Sequence, residues 1–295
     1  MKKRPFLWAL VVSVVIALLF TGGVALLGDS GEGGSLFREK VGVVEITGAI
    51  DNPGPAMLAL DKFRRDSSIR AVVLRVDSPG GGVGASQEIY REVERTAMQK
   101  PVVCSMGGVA ASGGYYVSAP CTKIVANPGT LTGSIGVIAT IPDLQNLFDK
   151  IGLKLQVIKA GALKGAGQPD RPLSEAERAM LQEVMEDTHA QFLNAVAKGR
   201  HMTLEQLKPV SDARVFTGRK AKELGLVDEL GNFSDAVHTA ARLAGISGRP
   251  KLVWPAEQKE PWWLELFKEE AASWLRGVLA RAMAPSLEYR WAGGR

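Results

Sequence analysis

An uncharged apolar run from Phe6 to Gly28, preceded by Lys2, Lys3 and Arg4, most constrains how this chain folds. A helix that crosses the hydrocarbon core of a bilayer needs about 20 predominantly apolar residues. Basic residues before such a helix favour the cytoplasmic side. We therefore expect a single-pass anchor in the cell membrane, with the N-terminus cytoplasmic and the following residues on the far side. A cleaved secretory signal with a small-residue site at Gly23–Ala25, or a buried core helix, is the alternative.

The charge and the cysteines exclude several classes of function. The net charge of +5 is mild, and no run of Lys and Arg alternates with aromatic residues, so we expect no nucleic acid partner. An anionic lipid surface is the partner that this charge favours. Cys104 and Cys121 each border an apolar run, which indicates two buried thiols, with a disulfide as the alternative. No histidine lies near them, so no zinc site is predicted.

Strand-like and helix-like segments alternate after a glycine-rich linker over residues 29–40. Short β-branched runs predict strands that are buried on both faces, and amphipathic segments between them predict helices. This order favours an α/β fold with parallel strands over residues 41–250. The strands are expected at 41–46, 71–76, 101–105 and 123–126, and the helices at 57–65, 86–99, 112–119, 174–198, 203–207 and 218–224.

The C-terminal tail, residues 251–295, has a different pattern. Apolar residues recur at helical spacing from Pro261 to Met283, with Trp263, Phe267 and Trp274 near one face. An amphipathic helix with tryptophan and arginine fits a lipid surface, a neighbouring subunit or its own domain. The pattern leaves all three alternatives open.

Three glycine-rich turns follow three of the predicted strands, at residues 77–82, 106–114 and 129–136. In an α/β sheet the carboxyl ends of the strands form the ligand-binding edge. The turn at Gly80–Ala85 also fits the dinucleotide fingerprint G-x-G-x-x-A, but the next strand ends in Cys104-Ser105 without an acidic residue. A nucleotide-dependent oxidoreductase is therefore the least favoured function.

Ser112 stands where a predicted strand meets a predicted helix. A serine there is commonly a helix N-cap. The alternative is a nucleophile, with the N–H groups of Gly113 and Gly81 stabilising the oxyanion of an acyl-transfer intermediate.

A nucleophilic serine needs a base. The three histidines, His189, His201 and His238, fall on helical or polar segments and are expected to be solvated. A lysine replaces histidine when burial favours its neutral form. Lys164 qualifies because no Asp or Glu occurs between residues 154 and 169, although a solvated loop lysine shows the same pattern.

Four ordered motifs, DSPGGG (77–82), MGGVAASGGYYVS (106–118), LTGSIGVI (131–138) and VIKAGALKGAG (157–167), resemble the signal peptide peptidase A family in its short bacterial form. The resemblance implies a Clp protease/crotonase-like fold after one transmembrane helix. It implies that Ser112 is the nucleophile, Lys164 the general base with Lys159 in reserve, and Ser134 the residue that orients the lysine. Gly81 and Gly113 match the oxyanion positions.

The same resemblance implies a membrane-anchored serine–lysine endopeptidase that needs no metal or cofactor. Its substrates would be residual signal peptides and other unfolded apolar peptides, bound in extended form by strand addition. It implies a homo-oligomeric ring of about eight subunits with sites shared across interfaces. An acyl-CoA enzyme or a non-enzymatic scaffold on the same fold is the main alternative function.

Overall fold

The computed structural model describes residues 13–17, 39–255 and 286–291, and the chain divides into two units, 1–38 and 39–295. In the first unit, residues 13–17 are helical and exposed. Among the described residues, no helix has the length and apolar character needed to cross a membrane. Most of the predicted anchor at 6–28, and the whole predicted amphipathic helix at 261–283, lie outside the described residues.

The second unit is built on a mixed, largely parallel sheet. The described strands are β1 (Lys40–Thr47), β2 (Ile69–Ser78), β3 (Gly80–Gly82), β4 (Val102–Ala111), β5 (Lys123–Ala126), β6 (Leu131–Gly133), β7 (Ile138–Thr140), β8 (Val215–Thr217), β9 (Glu229–Leu230), β10 (Lys251–Val253) and β11 (Ser286–Arg290). The main sheet has the order β10-β1-β2-β4-β5-β9, all parallel, and β6 continues it beside the end of β4. Strand β8 pairs with β6 in the antiparallel direction.

Helices cover both faces of this sheet. They are α1 (Gly54–Arg65), α2 (Val83–Ala97), α3 (Gly113–Ser118), α4 (Gln145–Ile151), α5 (Glu175–Arg200), α6 (Leu204–Leu207), α7 (Gly218–Glu223) and α8 (Phe233–Leu243). Helix α8 packs against β2, β4 and β5 on one face of the sheet. The described buried apolar side chains form two clusters, and helices α1, α2, α3 and α5 contribute to the larger one. The central strands β2 and β4 are largely buried because both their faces are covered, as their β-branched runs predict.

The predicted order of elements is confirmed over residues 41–230. Most observed element ends differ from the predicted ends by a few residues. Strand β4 extends past its predicted end at Ser105 to Ala111. The α/β architecture with parallel strands fits the Clp protease-like fold that the resemblance implies. Helix α5 begins with a capping box, since the Ser174 hydroxyl accepts the Glu177 N–H and the Glu177 side chain accepts the Ser174 N–H.

A second, smaller sheet was not predicted. Strands β3, β11 and β7 pair in that order, with β11 antiparallel to both neighbours. Strand β3 is the glycine turn after β2, and its other edge contacts Ile50, whose N–H donates to the Gly80 carbonyl at 3.0 Å. The small sheet therefore lies directly beside the end of β2.

Candidate active site

Ser112 lies at the junction between β4 and α3 in a backbone conformation that non-glycine residues rarely adopt. Its φ is 55° and its ψ is −117°. Ser112 holds the N-cap position of α3, as its place in the sequence predicts, but its side chain makes no capping hydrogen bond to the helix. Such a conformation costs about 1–3 kcal/mol and is concentrated at functional sites. The serine is buried, and its N–H donates to the Gly133 carbonyl at 2.8 Å.

The glycine turn at residues 80–82 approaches Ser112 so closely that a side chain is excluded. A Cβ on Gly80 would lie 2.7 Å from the Gly113 nitrogen and 1.8 Å from the Tyr289 carbonyl oxygen. A Cβ on Gly113 would lie 3.1 Å from the Cα of Gly80 and 2.6 Å from the Ser86 hydroxyl. The backbones of the two turns therefore meet at the N-terminus of α3.

Gly81 and Gly113, the predicted oxyanion residues, flank this contact. Gly81 follows Gly80 in β3 and pairs with Tyr289 of β11. A Cβ on Gly81 would lie 2.5 Å from the Ile50 nitrogen and carbonyl oxygen, so this strand also passes its neighbour without room for a side chain. The structure thus brings the segments of Gly81, Ser112 and Gly113 together, as the sequence predicts. The donation of their N–H groups to an oxyanion stays a prediction.

Ser134 is linked to Ser112, the candidate nucleophile, by the residue before it, Gly133. Gly133 accepts the Ser112 N–H, and Ser134 follows it with a φ of 53°. The Ser134 N–H donates to the Arg214 carbonyl at 2.8 Å, and its side chain is buried. A second serine in a left-handed conformation beside Ser112 is consistent with the predicted role of Ser134, which stays a prediction.

Both candidate lysines lie in one exposed loop. Lys164 is exposed in the loop between α4 and α5, and its N–H donates to the Gly161 carbonyl. Lys159 is also exposed, and its ammonium donates to the Ala162 carbonyl at 3.2 Å. Within the described residues, no hydrogen bond or ion pair joins either ammonium to Ser112 or Ser134. The Ser112–Lys164 dyad therefore stays a prediction.

An ion pair attaches the Lys164 loop to the start of α5. The Arg171 guanidinium donates to Glu177 at 2.6 and 2.8 Å and to the Gly165 carbonyl at 3.3 Å. The hydrogen bonds from Arg171, together with the Ser174 N–H, lower the pKa of Glu177 to about 2. Through this contact Gly165, the residue after Lys164, is held against α5, which packs on α3.

Ser86 and Tyr289 lie near the site although no sequence pattern indicates it, and a contact of His189 there was not predicted either. The Ser86 hydroxyl is buried against Gly113 and has no hydrogen-bond partner among the described residues. Tyr289 lies far from every motif in the chain but reaches the Gly80 turn. His189 is half-buried, with Nε2 3.1 Å from the carbonyl of Ile135, the residue after Ser134.

The cysteines and the charged clusters complete the chemical inventory. Cys104 and Cys121 are free and buried, as predicted for two thiols. Burial raises the pKa of the Cys121 thiol well above its ordinary value. In the described part of the chain, no group of three or more His, Cys, Asp or Glu residues could hold a metal ion.

Comparisons with known proteins place these motifs in one family. The model of peptidase family S49 matches residues 94–247. A Synechocystis sp. protein provisionally named a protease is 43% identical over 71% of this chain and 76% of its own length. A provisionally named signal peptide peptidase SppA of Enterococcus faecium is 36% identical over 76% of this chain and 61% of its own length. A chloroplastic serine protease SPPA of Arabidopsis thaliana is 35% identical over 77% of this chain and 33% of its own.

The Arg171–Glu177 contact predicts a pH-dependent contribution to stability. Because the folded pKa of Glu177 lies below the ordinary value of 4.5, the contribution is complete above about pH 5 and is lost as the pH falls through about 4 towards 2. Glu177→Gln should lower the free energy of unfolding at neutral pH, and its difference from the unmodified chain should shrink near about pH 3. Urea unfolding at both pH values measures this.

Glu175→Gln is the matched control, since Glu175 lies in the same first helical turn and is exposed. Its smaller effect should change little between the two pH values. An equal, pH-independent loss for both variants would contradict a specific role of the Arg171–Glu177 pair.

Proposed function

The chain belongs to peptidase family S49, as a signal peptide peptidase A family member, and from this premise we propose that it is a serine endopeptidase with a Ser112–Lys164 dyad. The observation that carries the proposal is the strained conformation of Ser112 beside the backbones of Gly80 and Gly113. A reactive hydroxyl next to converging N–H groups suits acyl transfer.

The proposed reaction has the following steps. Ser112 Oγ attacks the carbonyl carbon of the substrate peptide, and neutral Lys164 takes the hydroxyl proton. The N–H groups of Gly81 and Gly113 donate to the oxyanion that forms. Lys164 returns its proton to the leaving amine as the C–N bond breaks, which leaves an acyl-enzyme on Ser112. Water, deprotonated by the same lysine, then hydrolyses the ester and restores the serine.

Lys164 needs an environment that the single chain does not supply. The segment before it exposes Leu153, Leu155, Val157 and Ile158 as well as Leu163, which is an unusual concentration of exposed large apolar side chains. We assign this apolar segment to the contact between neighbouring copies in a ring of about eight subunits. The contact would move the loop and exclude water around the lysine, which favours its neutral form.

The substrates are unfolded, apolar peptides in extended form, and residual signal peptides are their natural class. The name of the Enterococcus faecium relative supports this class. So does the small sheet, because β3, whose Gly80 lies beside Gly113, already pairs with an extended strand, β11. The following measurements distinguish this function from that of an acyl-CoA enzyme and from a purely structural role.

The nucleophile is tested with a fluorophosphonate probe and with a fluorogenic peptide. We expect one labelled site per chain, and Ser112→Ala should abolish the labelling and lower peptide hydrolysis by about 10³-fold or more. Ser118→Ala, which changes another buried serine on α3, should keep both. Labelling that persists in Ser112→Ala would identify a different nucleophile.

The base is tested by comparing the two lysines of one loop. Lys164→Met removes the amine and keeps the length of the side chain, and it should lower hydrolysis by about 10³-fold while the unfolding transition is unchanged. Lys159→Met should keep activity within about threefold, since its ammonium contacts only the loop carbonyl of Ala162. The reverse result would assign the base to Lys159.

We also propose that the apolar run at 6–28 anchors the enzyme in the cell membrane, with the peptidase unit extracytoplasmic. The support is the length of this uncharged run and the basic residues before it. The full chain should stay with membranes after alkaline carbonate extraction, whereas a chain that starts at Asp29 should be released. Retention of the shorter chain would assign the membrane contact to another segment.

A further inference from the structure

The hydroxyl of Ser86 has no partner in the folded chain, although the residue is fully buried. Ser86 lies near the start of α2, with an exposed fraction of 0%. Its Oγ makes no hydrogen bond to any described residue. A buried hydroxyl without a partner costs free energy, because it loses its hydrogen bonds to water and gains none in return. The fold therefore keeps a polar group here at a cost.

Three other buried hydroxyls on the described helices are satisfied by their own helix. Thr96 in α2, Ser118 in α3 and Thr188 in α5 donate to the carbonyl four residues earlier, at 2.8, 2.7 and 2.7 Å. For Ser86 that carbonyl belongs to Gly82, and the bond is not formed. The Ser86 hydroxyl is therefore directed away from the acceptor that its own helix offers.

The Ser86 hydroxyl instead contacts Gly113, whose N–H is one of the two proposed oxyanion donors. Ser86 Oγ is 2.6 Å from the position that a Cβ on Gly113 would take. Gly113 begins α3 and directly follows Ser112 in the chain. Ser112 is buried almost as completely as Ser86, with 1% of its surface exposed. A substrate that gains access to Ser112 therefore also comes close to the Ser86 hydroxyl.

The start of α2 offers no negative charge that would compete with an oxyanion. Its N-cap is Gly82, which has no side chain to cap the helix, and its first turn contains no acidic residue. The positive end of the helix dipole is therefore not neutralised by a carboxylate of that turn. Because α2 directly follows β3, this positive end lies next to the turn that carries Gly81. A negative charge that develops there is favoured.

We propose that Ser86 is a third oxyanion donor, whose hydroxyl donates to the negatively charged oxygen of the tetrahedral intermediate together with the N–H groups of Gly81 and Gly113. Serine hydroxyls serve in this role beside backbone N–H groups. The oxyanion exists only after Ser112 has attacked the carbonyl carbon, so a donor that serves it is unpaired in the resting enzyme. Ser86 keeps its proton throughout, and the contact ends when the carbonyl forms again. This inference rests on the proposed function, because it adds a donor to that same site.

The test compares variants of the full chain with the fluorogenic peptide and the fluorophosphonate probe. Ser86→Ala should lower kcat by about 10²-fold and leave KM within about threefold, because the lost hydrogen bond is made only in the transition state. Labelling of Ser112 should slow by a similar factor, since the phosphoryl oxygen of the probe takes the oxyanion position. Ser86→Cys keeps a weaker donor and should give intermediate values. Urea unfolding should show no loss of stability in Ser86→Ala, since the hydroxyl has no partner to lose.

Thr96→Val is the matched control on the same helix. It removes a buried hydroxyl that has a partner, the Glu92 carbonyl. We expect it to lower the free energy of unfolding and to leave kcat and the labelling rate within about threefold. The opposite patterns of the two variants would separate a contact with the reacting oxygen from a general effect on α2.

A kcat within about threefold of the unmodified chain in Ser86→Ala would overturn the inference, and so would an equal loss of kcat in Thr96→Val. If Ser86→Ala fails to fold, Ser86→Cys decides: a lowered kcat at unchanged KM supports the third donor, and an unchanged kcat overturns it. If Ser112 is not labelled in the unmodified chain, the proposed function fails. If Ser112 is labelled at the same rate with and without the Ser86 hydroxyl, only this inference fails.

Discussion

The backbones of the Gly80 turn and of Gly113 pass each other at a separation that excludes any side chain, and the Ser112 conformation depends on that contact. The cost of the strained serine, about 1–3 kcal/mol, is offset by its surroundings. Its N–H donates to Gly133, and the following helix is fully buried, with Tyr115 donating to the Leu226 carbonyl at 2.9 Å. A buried helix cannot shift to relax one residue, so the sheet holds the hydroxyl in place.

Helix α5 contacts three separate parts of the candidate site. Near its middle, Phe192 and the Thr188 carbonyl contact Tyr289, while His189 contacts the carbonyl of Ile135. At its first turn, Glu177 holds Arg171 and, through it, the loop of Lys164. One helix therefore contacts the Tyr289 ring, the residue that follows Ser134, and the loop of Lys164. A displacement of this helix would change all three at once.

The sequence predicts the parts of this site that depend on local chemistry. Buried β-branched runs specify the parallel strands, and glycines specify the turns where backbones meet. Strand β11 was not predicted, because Ser286–Arg290 is short and its partners Gly81 and Ile138 are distant in the chain. The half-buried His189 was not predicted either, since its contact with Ile135 exists only in the folded arrangement. The position of Lys164 depends on a loop without periodicity, which no local pattern determines.

The division between a fixed serine and a loop-borne lysine has a functional consequence. The sheet fixes Ser112 within one chain, but the loop exposes Lys164 together with apolar side chains such as Ile158. A lysine serves as the base for a serine only in a site whose burial favours the neutral amine. Under the proposed function, that site is completed where a neighbouring copy covers the loop. Assembly would then supply the environment of the base, whereas the sheet of each chain holds the serine by itself.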